Sequence, residues 1–138
     1  MATSVDALDL PLIAEGKVRS LSSLPEPGRL LMVATDRISA YDHILSPEIP
    51  DKGKVLTGIS LLWVDQLSDI VPNHLVSTDV PPVVQGRAMV VEELDMFPVE
   101  CVVRGYLTGS GWKEYQHSGT VCGISLPEGL QDGSKLPE

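Results

Sequence analysis

A chain of 138 residues, 43% of them hydrophobic, can bury a core and is too apolar for a disordered tract. Nineteen acidic against ten basic residues leave a formal charge of −9, which argues against a nucleic-acid surface but not against a few cations gathered around a small anion. Two cysteines and three scattered histidines show no metal or redox spacing, no apolar run reaches membrane-spanning length, and the acidic start MATSVDALDL is no signal peptide. A protein of the cytoplasm with reduced thiols, bound to neither membrane nor nucleic acid, is expected.

The first predicted strand is GKVRSLSSL, residues 16–24, and LPEPGR after it is a turn, because two prolines and a glycine bar regular structure. RLLMVAT, residues 29–35, completes a hairpin. The spacing of Val55, Ile59, Leu62 and Leu67, with Leu56 and Trp63 beside them, predicts a helix over 51–71 with Asp51 as N-cap and Pro72 ending it. VSTDVPPVVQ is a Pro-rich loop. RAMVVEEL and PVECVVRGYL are two more strand candidates joined at residues 95–97. SGWKEYQHSG reads as a short helix from an N-cap at Ser110 to a stop at Gly119, VCGISL as a last strand, and the tail 126–138 as polar and irregular. The order β-β-α-β-β-α-β, with hairpins, is an α+β layer.

Four segments could carry chemistry. In PVECVVRGYLTGSG, from residue 98, a strand would turn Glu100 and Arg104 to one face about 13 Å apart, so each needs its own partner. Both could simply meet water; alternatively Arg104 offers an anion its planar donor fork, with Ser110 adding a hydroxyl at a helix start. EGKVR, residues 15–19, sets Lys17 and Arg19 beside a glycine and could fold over phosphates, or be an ordinary strand start. TDRISAYDH, residues 35–43, crowds charges and hydroxyls after a core strand, where either a site or a local Asx or Ser turn would fit. In IPDKGK, Lys52 and Lys54 stand at a helix start, which favours cations only if an anion is near. Nucleophile elbow, P-loop and dinucleotide fingerprint are absent from the sequence.

In this order, GKVR, TDRISAYD, IPDKG and PVECVVRGYLTGSG resemble the N-terminal half of the SAICAR synthetase (phosphoribosylaminoimidazole-succinocarboxamide synthase) family, over residues 14–124. GYLTGSG resembles its longer-chain form. The resemblance implies an α+β fold: an antiparallel sheet with a packed helix and a kinase N-lobe-like ATP-binding region in 1–97, then a second α/β domain begun in 98–138 and cut off. It implies a carbon-nitrogen ligase of purine biosynthesis that uses ATP and Mg2+ to join carboxyaminoimidazole ribotide and L-aspartate. Gly16, Lys17, Val18 and Arg19 would cover the ATP phosphates. Glu93, Leu94 and Met96, with Asp95, would meet adenine through their backbone. Ser39, Asp42, Arg104 and Ser110 would hold the substrates. The family's later Asp-x-Lys-x-Glu-Phe-Gly block is not in this sequence, so magnesium ligands are expected outside it, catalytic residues stay unassigned, and the chain alone is expected to be an inactive fragment. A nucleotide-binding module without ligase activity would instead bind ATP indifferently to ribotide and aspartate, and a plain interaction domain would bind no nucleotide.

Overall fold

The hairpin expected from residues 16–35 is present in the computed structural model, which describes residues 8–41 and 43–136. The chain divides into two compact units, Met1–Asp95 and Met96–Glu138.

In the first unit, β1 (Leu12–Glu15), β2 (Arg19–Ser23) and β3 (Arg29–Ala34) run antiparallel in sequence order. A second hairpin, β4 (Ile38–Ala40) with β5 (His43–Leu45), stands apart from that sheet. After helix α1 (Lys52–Gln66) come β6 (Leu75–Ser77), a single 3-10 turn at Pro82–Val84, and β7 (Ala88–Glu92), which pairs with β3. The sheet order is β1-β2-β3-β7-β6. The strand expected to start at Gly16 starts at Arg19: residues 16–18 instead link β1 to β2, and β1 carries no core-strand signal because LIAE lies exposed and lacks buried alternation.

Because successive residues of a strand face opposite ways, β3 serves two layers. Leu31 and Val33 are buried with Ala88, Val80 and Val84, so the chain around the 3-10 turn covers that face. Removing each of these leucine and valine side chains from water stabilises the fold by roughly 1.5–3 kcal/mol. Met32 and Ala34 take the other face, where α1 packs against β3 and β7.

The helix was expected to bury Val55, Ile59 and Leu62; the structure turns these outward with Trp63, each about half exposed, and Leu67 falls in the turn beyond α1. Gly53 and Thr57 are buried instead, and Leu56, Ser60 and Val64 line the gap to the sheet. Close approach decides the face: a Cβ at position 53 would overlap the carbonyl oxygen of Ala34 and lie 3.2 Å from the Asp36 carboxylate. Gly53→Ala is therefore expected to destabilise the protein by roughly 1–3 kcal/mol, despite alanine's better helix propensity. Urea unfolding checks this, and a stabilised variant would mean the helix can slide outward freely.

In the second unit, α2 (Gly109–Ser118) is followed by a tight hairpin of β8 (Thr120–Val121) and β9 (Ile124–Ser125). VCGISL is thus two short strands rather than one, because Cys122 (φ 50°) and Gly123 (φ 77°) both occupy the left-handed region that a two-residue hairpin turn demands. Gly119 ends α2 as expected, at φ 69°. The N-cap position falls on Thr108 in extended conformation, not on Ser110, which sits inside the first turn. Tyr115 fastens the polar tail: its hydroxyl donates to the Pro127 carbonyl at 2.7 Å and accepts the Leu130 N–H at 3.2 Å.

The strand expected over residues 98–107 does not form. A strand exists only through a partner ladder. Among the described residues, the one bridge in this run joins Tyr106 to Lys135. Val99, Val102 and Val103 are exposed, the last at 99%, and Glu100 and Arg104 are exposed with them.

Candidate functional site

The link between β1 and β2 is residues 16–18, closed by the Gly16 N–H donating to the Arg19 carbonyl at 2.8 Å. The tripeptide Thr35, Asp36 and Arg37, leaving the end of β3, organises everything around it. The Val18 carbonyl accepts both the Thr35 N–H (2.9 Å) and the Thr35 hydroxyl (3.0 Å). Arg37 donates to the Gly16 carbonyl at 3.2 Å, to Glu15 Oε1 at 2.8 Å and to Thr35 Oγ1 at 3.2 Å. The carbonyl oxygens flanking Lys17 are thus both engaged by protein donors.

Gly16 is not a glycine for the chain's own sake. Its φ lies outside the left-handed range, and a Cβ there would meet only the Arg19 carbonyl at an ordinary 3.6 Å. The Val18 N–H donates to no group among the described residues. The Arg19 side chain makes no hydrogen bond or ion pair among the described residues and lines a cavity of about 140 Å³ between α1 and the sheet, with Met32, Thr57, His74 and Met89. An amide, a lysine and an arginine at a turn with engaged carbonyls form a surface suited to an anion.

Asp36 works in the opposite direction, toward the helix. Its carboxylate accepts the Gly53 N–H at 2.9 Å and the Asp51 N–H at 3.3 Å, and pairs with Arg87 of the segment before β7 at 3.2 Å. Burial pushes its carboxyl up, but the Gly53 N–H, the Arg87 guanidinium and the Asp51 N–H outweigh this and hold it below the usual carboxylate range. Asp51 therefore occupies the N-cap position without capping: it is left-handed (φ 62°), and its side chain pairs with Lys54 at 2.8 Å. Of the two lysines of IPDKGK, Lys54 thus has its anion within the protein, while Lys52 Nζ donates to the Thr35 carbonyl at 3.5 Å.

The remaining expected residues divide between the two units. In the first, the Glu93 N–H donates to the Gly28 carbonyl at 2.9 Å, so its amide is taken, while Leu94 is half exposed. Ser39 is half buried in β4, opposite Ile44. Asp42 lies outside the described residues. In the second, Met96 is exposed, and Arg104 donates from Nη2 to the Ser110 hydroxyl at 3.3 Å, which brings two expected substrate-binding groups together at the first turn of α2. Cys101 and Cys122 are exposed and form no disulfide.

Asp36 and Arg37 fall in the segment expected to carry chemistry, but their separate roles, and Arg87 altogether, were not foreseen. The signal available was TDR directly after a buried strand, with both charge signs in three residues. Among the described residues no three His, Cys, Asp or Glu side chains gather to hold a metal, and no helix is long and apolar enough to cross a membrane.

The sequence model of the SAICAR synthetase family matches residues 12–138. Phosphoribosylaminoimidazole-succinocarboxamide synthase of Saccharopolyspora erythraea is 58% identical over 133 residues, covering 94% of this chain and 44% of that protein. The SAICAR synthase of Saccharomyces cerevisiae, solved in complex with SAICAR, superimposes with a TM-score of 0.88 at 43% identity, covering 95% of this chain and 50% of the other. A type-2 SAICAR synthetase in complex with ADP gives a TM-score of 0.70 at 25% identity, covering 91% and 46%. The chain spans about half the length of the relatives it matches. With nearly all of its residues inside the family's pattern, and the antiparallel sheet and helices of its solved members, the chain belongs to the SAICAR synthetase family.

Proposed function

We propose that the protein containing this chain is an ATP-dependent ligase of purine biosynthesis, working in the cytoplasm, that joins carboxyaminoimidazole ribotide to L-aspartate. The observation that carries this reading is the turn at 16–19: both carbonyls flanking Lys17 are engaged by protein donors, the Val18 N–H is left available, and Gly16 leaves room that the fold does not itself require. Such a turn suits the triphosphate of ATP. Residues 1–97 form the cover over ATP, with the backbone of 93–96 against adenine. The Glu93 N–H being engaged, the contacts there fall to its carbonyl and to the amides after it. Residues 98–138 open the region that meets the ribotide, through Arg104 and Ser110, while Ser39 and Asp42 serve the ribotide and aspartate side.

In the reaction, a carboxylate oxygen of the ribotide attacks the γ-phosphorus and ADP leaves. The aspartate amine then attacks the acyl carbon, phosphate leaves, and the nitrogen gives up a proton. Every partner is an anion, so the work of these residues is positioning and charge neutralisation. Magnesium accompanies ATP in this chemistry, and its protein ligands are proposed to lie outside residues 1–138.

The test is ADP formation by the full-length protein. It is expected to require ribotide and aspartate together, with a product of the succinocarboxamide's mass. ADP formation indifferent to aspartate would contradict the ligase reading.

A further inference from the structure

We infer that Arg37 is a positioning residue for the nucleotide's phosphates, acting through the turn at 16–19 without touching ATP itself. The inference rests on the proposed ATP reading of that turn. The Arg37 side chain is only 15% exposed, and all three guanidinium nitrogens are engaged: Nη1 to Glu15, Nη2 to the Gly16 carbonyl, Nε to the Thr35 hydroxyl. Thr35 in turn holds the Val18 carbonyl from both its N–H and its hydroxyl. One planar fork therefore fixes the first carbonyl of the turn directly and steadies the hydroxyl that fixes the second.

Two physical consequences follow for a phosphate. A short turn left free would have to be ordered on binding, at a cost in backbone conformational entropy; the clamp does this beforehand. Release of the Gly16 carbonyl would also let its lone pairs swing toward the phosphates, where they repel. Lysine cannot replace the fork, because a single ammonium lacks the fixed geometry that spans Glu15, Gly16 and Thr35 at once. Adenosine, which carries no phosphate, gains nothing from the clamp.

The experiment is calorimetric titration of ADP and of adenosine into the full-length protein and its Arg37→Ala and Arg37→Lys variants. Arg37→Ala is expected to weaken ADP about tenfold while adenosine stays within about twofold, with Arg37→Lys recovering part of the loss. A purely structural role would lower the unfolding temperature while moving ADP and adenosine together or not at all, and that result overturns the inference. Should Arg37→Ala fail to fold, Arg37→Lys carries the test: ADP weakened with adenosine unchanged supports it, and equal affinities overturn it. A wild-type protein that binds no ADP fails the ATP reading itself, and the role of Arg37 falls with it.

Discussion

Arg104→Ala is expected to weaken the ribotide by about 30- to 1000-fold, the loss of one or two charge-assisted hydrogen bonds to a phosphate or carboxylate. The side chain is exposed and makes one neutral contact, to the Ser110 hydroxyl at 3.3 Å, which leaves most of its donor fork for a ligand. No acidic side chain pairs with it among the described residues. Ser110 lies in the first turn of α2, where the helix dipole favours negative charge. Ser110→Ala should cost far less, about three- to tenfold, since it removes a neutral donor and leaves the guanidinium. Ribotide titration of the full-length protein separates the two. An Arg104→Ala protein with wild-type ribotide affinity would remove this group from the substrate site.

Asp36→Ala is expected to lower the unfolding free energy by roughly 2–4 kcal/mol, combining loss of a helix cap with loss of Arg87's only ion-pair partner among the described residues. Both partners are mostly buried, with side chains 15% and 18% exposed, so the stranded Arg87 is not rescued by water as a surface arginine would be. The pH dependence has a definite sign. The folded carboxyl lies below its unfolded value of about 3.9, so its stabilisation is complete above that value and is lost as pH falls through the folded one. Urea titrations should therefore show a wider gap between wild type and Asp36→Ala at pH 7 than at pH 3. An equal gap at both would mean the carboxylate's charge contributes nothing.

The parts of the fold legible in the sequence were those with local signals. RLLMVA and AMVVE announced buried strands by composition, and Gly119 ended its helix as an isolated glycine should. Failures came where distant residues decide. Apolar spacing alone could not tell which side of α1 meets the sheet, because the deciding contact is between Gly53 and the Ala34 carbonyl, nineteen residues upstream. Asp51 looked like the cap of α1, yet the capping carboxylate is Asp36, supplied from the end of β3. PVECVVRGYL has the composition of a strand, and composition supplies no ladder partner.

The site divides in the same way. The turn at 16–19 and the Arg104–Ser110 pair were visible as residue types at close spacing, and the structure brings each together locally. The clamp of Arg37 on Gly16 spans β1, the turn and the end of β3, so no window of sequence contains it. TDR was recognisable as a crowded loop. Its division of labour, with Thr35 and Arg37 facing the turn and Asp36 facing the helix, follows only from the fold.

A structure of the full-length protein with ADP bound would test the role of the turn at 16–19. Phosphate oxygens are expected within hydrogen-bond distance of the turn at 16–19, with adenine against the backbone of 93–96. Phosphates lodged elsewhere, with that turn unvisited, would contradict it.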